Sequence, residues 1–191
     1  MSTNIQDFSG DIQIRGTTFI KANSNANNIA IGTDAGVTLQ GTSAVAIGRQ
    51  AGRINQDQDG VAVGVAAGES YQRTNATAVG IVAGRYNQGI SATAVGDAAG
   101  NISQGNYAVA VGHVAGQFNQ GTNGVAVGVG SGQCNQGNQG VGMGWFSGAY
   151  NQGTAGTALG YGAGQTSQGV YSVGVGYTAG QTSQGANSTA I

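Results

Sequence analysis

The sequence predicts an all-β chain, a parallel β-solenoid of ten 16-residue coils, and three columns of identical residues predict it. Glycine recurs at every sixteenth position from Gly32 to Gly176, and a second glycine column follows four residues later, from Gly36 to Gly180. The third column is Gln40, Gln56, Gln72, Gln88, Gln104, Gln120, Gln136, Gln152, Gln168 and Gln184. No insertion or deletion interrupts them, so "AVAIGRQAGRINQ" (44–56) returns as "AVAVGHVAGQFNQ" (108–120). Loops tolerate insertions because lengthening them costs little. Spacing this strict belongs to coils that stack in register. Sixteen residues are too few for two packed helices, and Gly, Asn and Val are poor helix formers.

Taken in order, residues 1–27 lie outside the repeat phase. Ile12 and Ile14 alternate with polar neighbours in "GDIQIRGTTFI", and the segment is expected to be a cap or connector ahead of the array at 28–191. Each coil then opens on a strand of the V-A-V type, where Val45 and Ile47, or Val109 and Val111, alternate with Ala46 or Ala110. The aliphatic columns are expected to form the core, and the small middle position to meet another surface closely. A corner follows, with the two glycine columns supplying positive φ. A second strand runs near Ile54–Gln56 or Phe118–Gln120 and turns at the glycine of N-Q-G. Rungs about 4.8 Å apart place each side chain above its own repeat, so the glutamines are expected to form a buried amide ladder. Arg53, Glu69 and Arg85, and likewise Asp57 and Arg73, are expected to form ladders of opposite charge. "NSTAI" stops one residue short of the next phase glycine, so Ile191 is expected to be an open rung that continues in a longer chain or is covered by another one.

Composition removes several classes. The chain has 191 residues with 38 glycines, no proline, 7% charged residues and a formal net charge of −1. Glycine without proline or a three-residue period is not collagen, and low charge without proline is not the signature of disorder. No apolar run approaches the roughly 20 residues that span a bilayer, and no basic surplus exists to neutralise phosphates. Neither membrane nor nucleic acid is therefore an expected partner. "MSTNIQDFSG" lacks the basic start and apolar core of a secretory signal. The expectation is a chain assembled inside a cell, as virion proteins are, or a piece of something longer.

The phrases "NNIAIGTDAG" (27–36) and "SAVAIGRQAG" (43–52) resemble the head repeats of YadA-type trimeric autotransporter adhesins. They are similar also to the A-I-G-x-x-A-G-x-x-N-Q-G arrays in attachment and fibre proteins of phages and large algal viruses. The resemblance covers residues 27–191. It implies left-handed parallel β-rolls, three chains packed about one axis as a homotrimeric fibre, and a role in host attachment at a virion or cell surface. The unit here is longer than the family's usual one and adds the glutamine column. No anchor or coiled-coil stalk follows, which favours the viral or detached version. An end-to-end filament, with residues 1–27 of one subunit covering Ile191 of the next, is the alternative expectation.

No catalytic, metal or cofactor site is expected. His113 is the sole histidine and occupies a variable position after a phase glycine. Asp34, Asp57, Asp59, Glu69 and Asp97 have no metal-ligand spacing, and glycine-rich runs that could pass for phosphate cradles are explained by the period. Cys134 shares a column with Ile102, Phe118 and Tyr150 and is expected to pack rather than react. The sequons at Asn75, Asn101 and Asn187 arise readily in an Asn-, Ser- and Thr-rich repeat. Trp145, Tyr161 and Tyr177 share one phase, with Phe146 and Tyr150 nearby. This stripe is read either as a glycan or receptor contact or as a ladder at a chain–chain seam.

Overall fold

The computed structural model describes the backbone of residues 12–14 and 17–20 and the whole of residues 27–191. It is a parallel β-solenoid with a 16-residue period, and no helix occurs among the described residues. A hairpin of β1 (Ile12–Ile14) and β2 (Thr17–Ile20) pairs antiparallel with β3 (Ile29–Ile31) through Ile20 and Ile31. The rest of the expected N-terminal cap lies outside the described residues.

From β3 onward the chain winds between two walls. The first strand of every coil joins β1 and β2 in a 13-stranded sheet. The second strands, beginning with β4 (Thr38–Gln40), form a 7-stranded sheet. Parallel bridges Cys134–Tyr150, Tyr150–Thr166 and Thr166–Thr182 continue that second wall. Paired strand residues lie sixteen apart, as Ala46 with Ala62 and Gln56 with Gln72.

The strands are only three residues long because each coil bends repeatedly. In one coil, Gly96, Ala98, Gly100, Ser103 and Tyr107 all have positive φ, and every other coil repeats the pattern. The two glycine columns take the positions the sequence assigns them. The N-Q-G glycine does not: Asn87 and Ser91 are left-handed, whereas Gly89 between them is not. Asn tolerates this region better than most residues, which explains why it recurs ahead of the glutamine. Gly89 sits in a crowded spot instead, since a Cβ there would lie 2.5 Å from the Gly105 carbonyl carbon.

The expected aliphatic core is inverted. Ala46, Ala62, Ala78, Ala94 and Ala110 are fully buried inside the coil, against a second alanine column that includes Ala51, Ala67 and Ala83. Val45 and Ile47, which flank Ala46, point outward, and Ile47, Val79 and Val111 each remain 36% exposed. The reason is width. A 16-residue coil leaves room between its walls for methyl groups and one folded glutamine, so the larger side of the alternation must face out. The small middle position meets the coil's own opposite wall, not another chain.

Local substitutions keep that interior full. Ser131 and Ser147 replace alanine in the second column, and a Cβ on Gly142 would lie 2.7 Å from the Ser131 hydroxyl. The extra oxygen and the missing methyl therefore compensate.

Candidate functional site

The glutamine column supplies most of the buried polar side chains among the described residues. Its eight central members, Gln56 to Gln168, are at most 2% exposed, while Gln40 and Gln184 at the ends are half-buried. Gln56 shows the unit: its Nε2 donates to the Val45 carbonyl at 2.9 Å, the Gly60 carbonyl at 3.1 Å and Gln72 Oε1 at 2.9 Å. One amide thus ties the first strand, the turn and the next coil together. The chain of amides runs from Gln40 to Gln120 and from Gln136 to Gln184. One link is missing, because Gln136 Oε1 has no partner.

The ladder also accounts for the second glycine column. A Cβ on Gly68 would lie 2.8 Å from both Cδ and Oε1 of Gln72, which folds over it. Glycine there is dictated by the glutamine four residues on as well as by its φ of +52.

The aromatics stack as their shared phase implies. Trp145 and Tyr161 lie 4.4 Å apart at 12°, Tyr161 and Tyr177 5.1 Å apart at 15°, and Phe146 meets Trp145 edge-on at 4.5 Å. Tyr161 is stacked between Trp145 and Tyr177, and Tyr177 remains 78% exposed. Tyr150 stands apart on the second wall, its hydroxyl donating to Gln133 Oε1 at 3.0 Å. The stack follows the outward column of Val111, Val127, Met143 and Val175 by two residues and therefore borders that apolar wall.

One of the two expected charge ladders forms. Glu69, almost wholly buried, receives Arg53 at 3.4 Å and Arg85 at 2.6 Å, and the Arg85 guanidinium also lies over the Tyr86 ring. Asp57 and Arg73 make no ion pair. Arg73 borders a recess over the next two coils instead. His113 lies 3.8 Å from Asp97, one coil earlier, with both side chains more than half exposed. Cys134 is half-buried, and burial pushes its thiol pKa up. A raised pKa lowers the thiolate fraction that nucleophilic chemistry needs.

Among the described residues no three His, Cys, Asp or Glu side chains gather as a metal site, and no helix is long and apolar enough to cross a membrane. The stacked coils present one uncharged apolar wall on the first strands and one amide-rich wall on the second. No family model, curated protein or solved structure matches the chain.

Proposed function

We propose that the chain is a non-enzymatic structural and adhesive rod, the shaft or head of a homotrimeric attachment fibre at a virion or cell surface. The observation that carries this reading is the outward face of the first strands. Val45, Val61, Val109, Val125, Val141 and Val173 form one column, interrupted only by threonines, and Ile47, Val63, Val79, Val95, Val111 and Val127 form the other. Neither column holds a charge. Contiguous apolar patches of this kind on a soluble protein usually mark interaction sites. A thin coil with an alanine interior also buries little apolar area of its own.

Packing three first-strand faces about a common axis would bury both columns at once and give the chain the larger core that one coil lacks. The same packing places the Trp145–Tyr161–Tyr177 stack at the margin of the seam, where ring edges close against a neighbour. It leaves the amide-rich second wall outward for contact with a cell-surface glycan or receptor.

The native mass of the folded protein tests the assembly. Three chains per particle is the expected result, and Val111→Glu should convert it to smaller species. A stable, soluble monomer would overturn the trimer. Concentration-dependent growth along the axis would replace it with an end-to-end filament.

A further inference from the structure

We propose that the recess spanning the third to fifth coils binds a sugar bearing a carboxylate, with Arg73 as the anion-binding group. The recess has a volume of about 240 Å³ and is bordered by Arg73, Asn87, Gly89, Ile90 and Asn106, together with the ladder glutamines beneath. It exists because the repeat is broken at one position. Most coils carry glycine after the ladder glutamine, and Gly89 and Gly105 leave bare backbone in the two coils that follow Arg73. Arg73 puts a long cationic side chain beside this bare floor.

The lining is rich in donors and lacks an acid. The Arg73 guanidinium has no ion-pair partner among the described residues, although Asp57 lies in its column one coil earlier. Asn106 Oδ1 already accepts the Ile90 amide at 2.9 Å, which leaves its Nδ2 as a donor toward the opening. The side-chain amide of Asn87 has no hydrogen-bond partner among the described residues. A guanidinium flanked by amide donors matches a carboxylate and hydroxyl oxygens, and Ile90 supplies an apolar wall for the C–H face of a ring. Volume sets the scale. A recess of about 240 Å³, open on one side, suits one sugar unit and is too small for a folded peptide segment. It also lies on the second wall and its turn, away from the apolar first-strand face, so it stays open in the assembly proposed above. Its biological use rests on the attachment reading, whereas its geometry belongs to a single chain.

Saturation-transfer NMR on the full chain tests it, with glucuronate as the probe and glucose and acetate as controls. Glucuronate should bind saturably, with both controls weaker by about tenfold or more, the loss expected for a charge-assisted pair or for the ring contacts. Arg73→Gly restores the residue that most coils carry, so the fold is kept, and it should weaken glucuronate by about tenfold or more. Asp57→Gly, outside the recess, should leave binding unchanged. Undiminished binding by Arg73→Gly, equal binding of glucose, or acetate as strong as glucuronate would each overturn the proposal. Native mass is measured on the same samples. Loss of binding with the three-chain particle intact therefore refutes the recess alone, and a monomer that binds glucuronate refutes only the fibre.

Discussion

Replacing Gln104 with leucine should unfold the rod at a clearly lower temperature, and the structure says by how much. Gln104 Nε2 donates to the Thr93 carbonyl at 2.8 Å, the Ala108 carbonyl at 3.4 Å and Gln120 Oε1 at 3.1 Å, and its Oε1 accepts from Gln88 at 3.2 Å. The three shorter bonds contribute about 1 kcal/mol each, and stranding Gln120 Oε1 inside the coil costs about 2 kcal/mol more. Leucine is similar in volume and more apolar, which returns about 1 kcal/mol. The net loss is about 4 kcal/mol, or about 8–16 °C in Tm for a chain of this length.

The missing link supplies the control. Gln120 Nε2 reaches the Val109 and Gly124 carbonyls, and Gln136 Oε1 has no partner to lose. Gln120→Leu therefore strands no amide oxygen and should cost about 2 kcal/mol less than Gln104→Leu. Asn101→Ala removes one half-exposed bond, to the Val82 carbonyl at 3.0 Å, and should cost about 1 kcal/mol. Thermal unfolding of the three variants should rank Gln104→Leu below Gln120→Leu and both below Asn101→Ala. Equal shifts for Gln104→Leu and Asn101→Ala would refute the buried ladder.

Gly100→Ala should destabilise far more than Gly162→Ala, because a Cβ on Gly100 would sit 2.8 Å from Gln104 Cδ whereas one on Gly162 finds nothing closer than 3.4 Å; equal urea midpoints would show that backbone strain alone selects the second glycine column. Glu69→Ala should cost about 1–2 kcal/mol at low salt, with the difference from wild type shrinking as salt is raised, since both arginines are about one-third exposed; a salt-independent difference would mean that packing at Glu69 matters and charge does not. Iodoacetamide at pH 8 should alkylate Cys134 more slowly than free cysteine, because burial favours the neutral thiol; a rate equal to that of free cysteine would refute the burial of its sulfur.

Period and register were legible in the sequence because a solenoid writes its geometry as spacing. Once Gly32 to Gly176 recur every sixteen residues, Arg53, Glu69 and Arg85 must be vertical neighbours, and so must Trp145, Tyr161 and Tyr177. The burial of the glutamine column followed from its invariance beside freely varying neighbours. Orientation was not legible. A V-A-V strand alternates identically whether the valines face in or out, and the usual expectation puts the larger apolar side inward. Only the width of the coil decides the matter, and width depends on how sharply the corners turn. Those corners use left-handed Ala98, Ser103 and Tyr107, residue types that carry no signal for that conformation. Asp57 and Arg73 show the same limit at one site, since sharing a column permits contact without requiring it.

The inverted alternation bears on assembly as well as on fold. A polar ladder is costly in a protein interior unless its groups are satisfied; among the eight central glutamines only Gln136 Oε1 lacks a partner, and the glutamine spends its donors on the strand and turn carbonyls of its own coil before reaching the next. That arrangement needs the alanine-width interior, because a wider coil would carry the amide away from Val45 and Gly60 and leave it unpaired. The narrow interior is therefore a condition of the ladder, and the outward valines are a consequence of the narrow interior. Enlarging the core would break the ladder, and making the outer face polar would remove apolar area that nothing inside replaces. A neighbouring copy, as proposed above, would match that face rung for rung, since an identical solenoid repeats its columns at the same axial spacing. The exposed apolar face and the buried glutamines are thus two outcomes of one geometric choice.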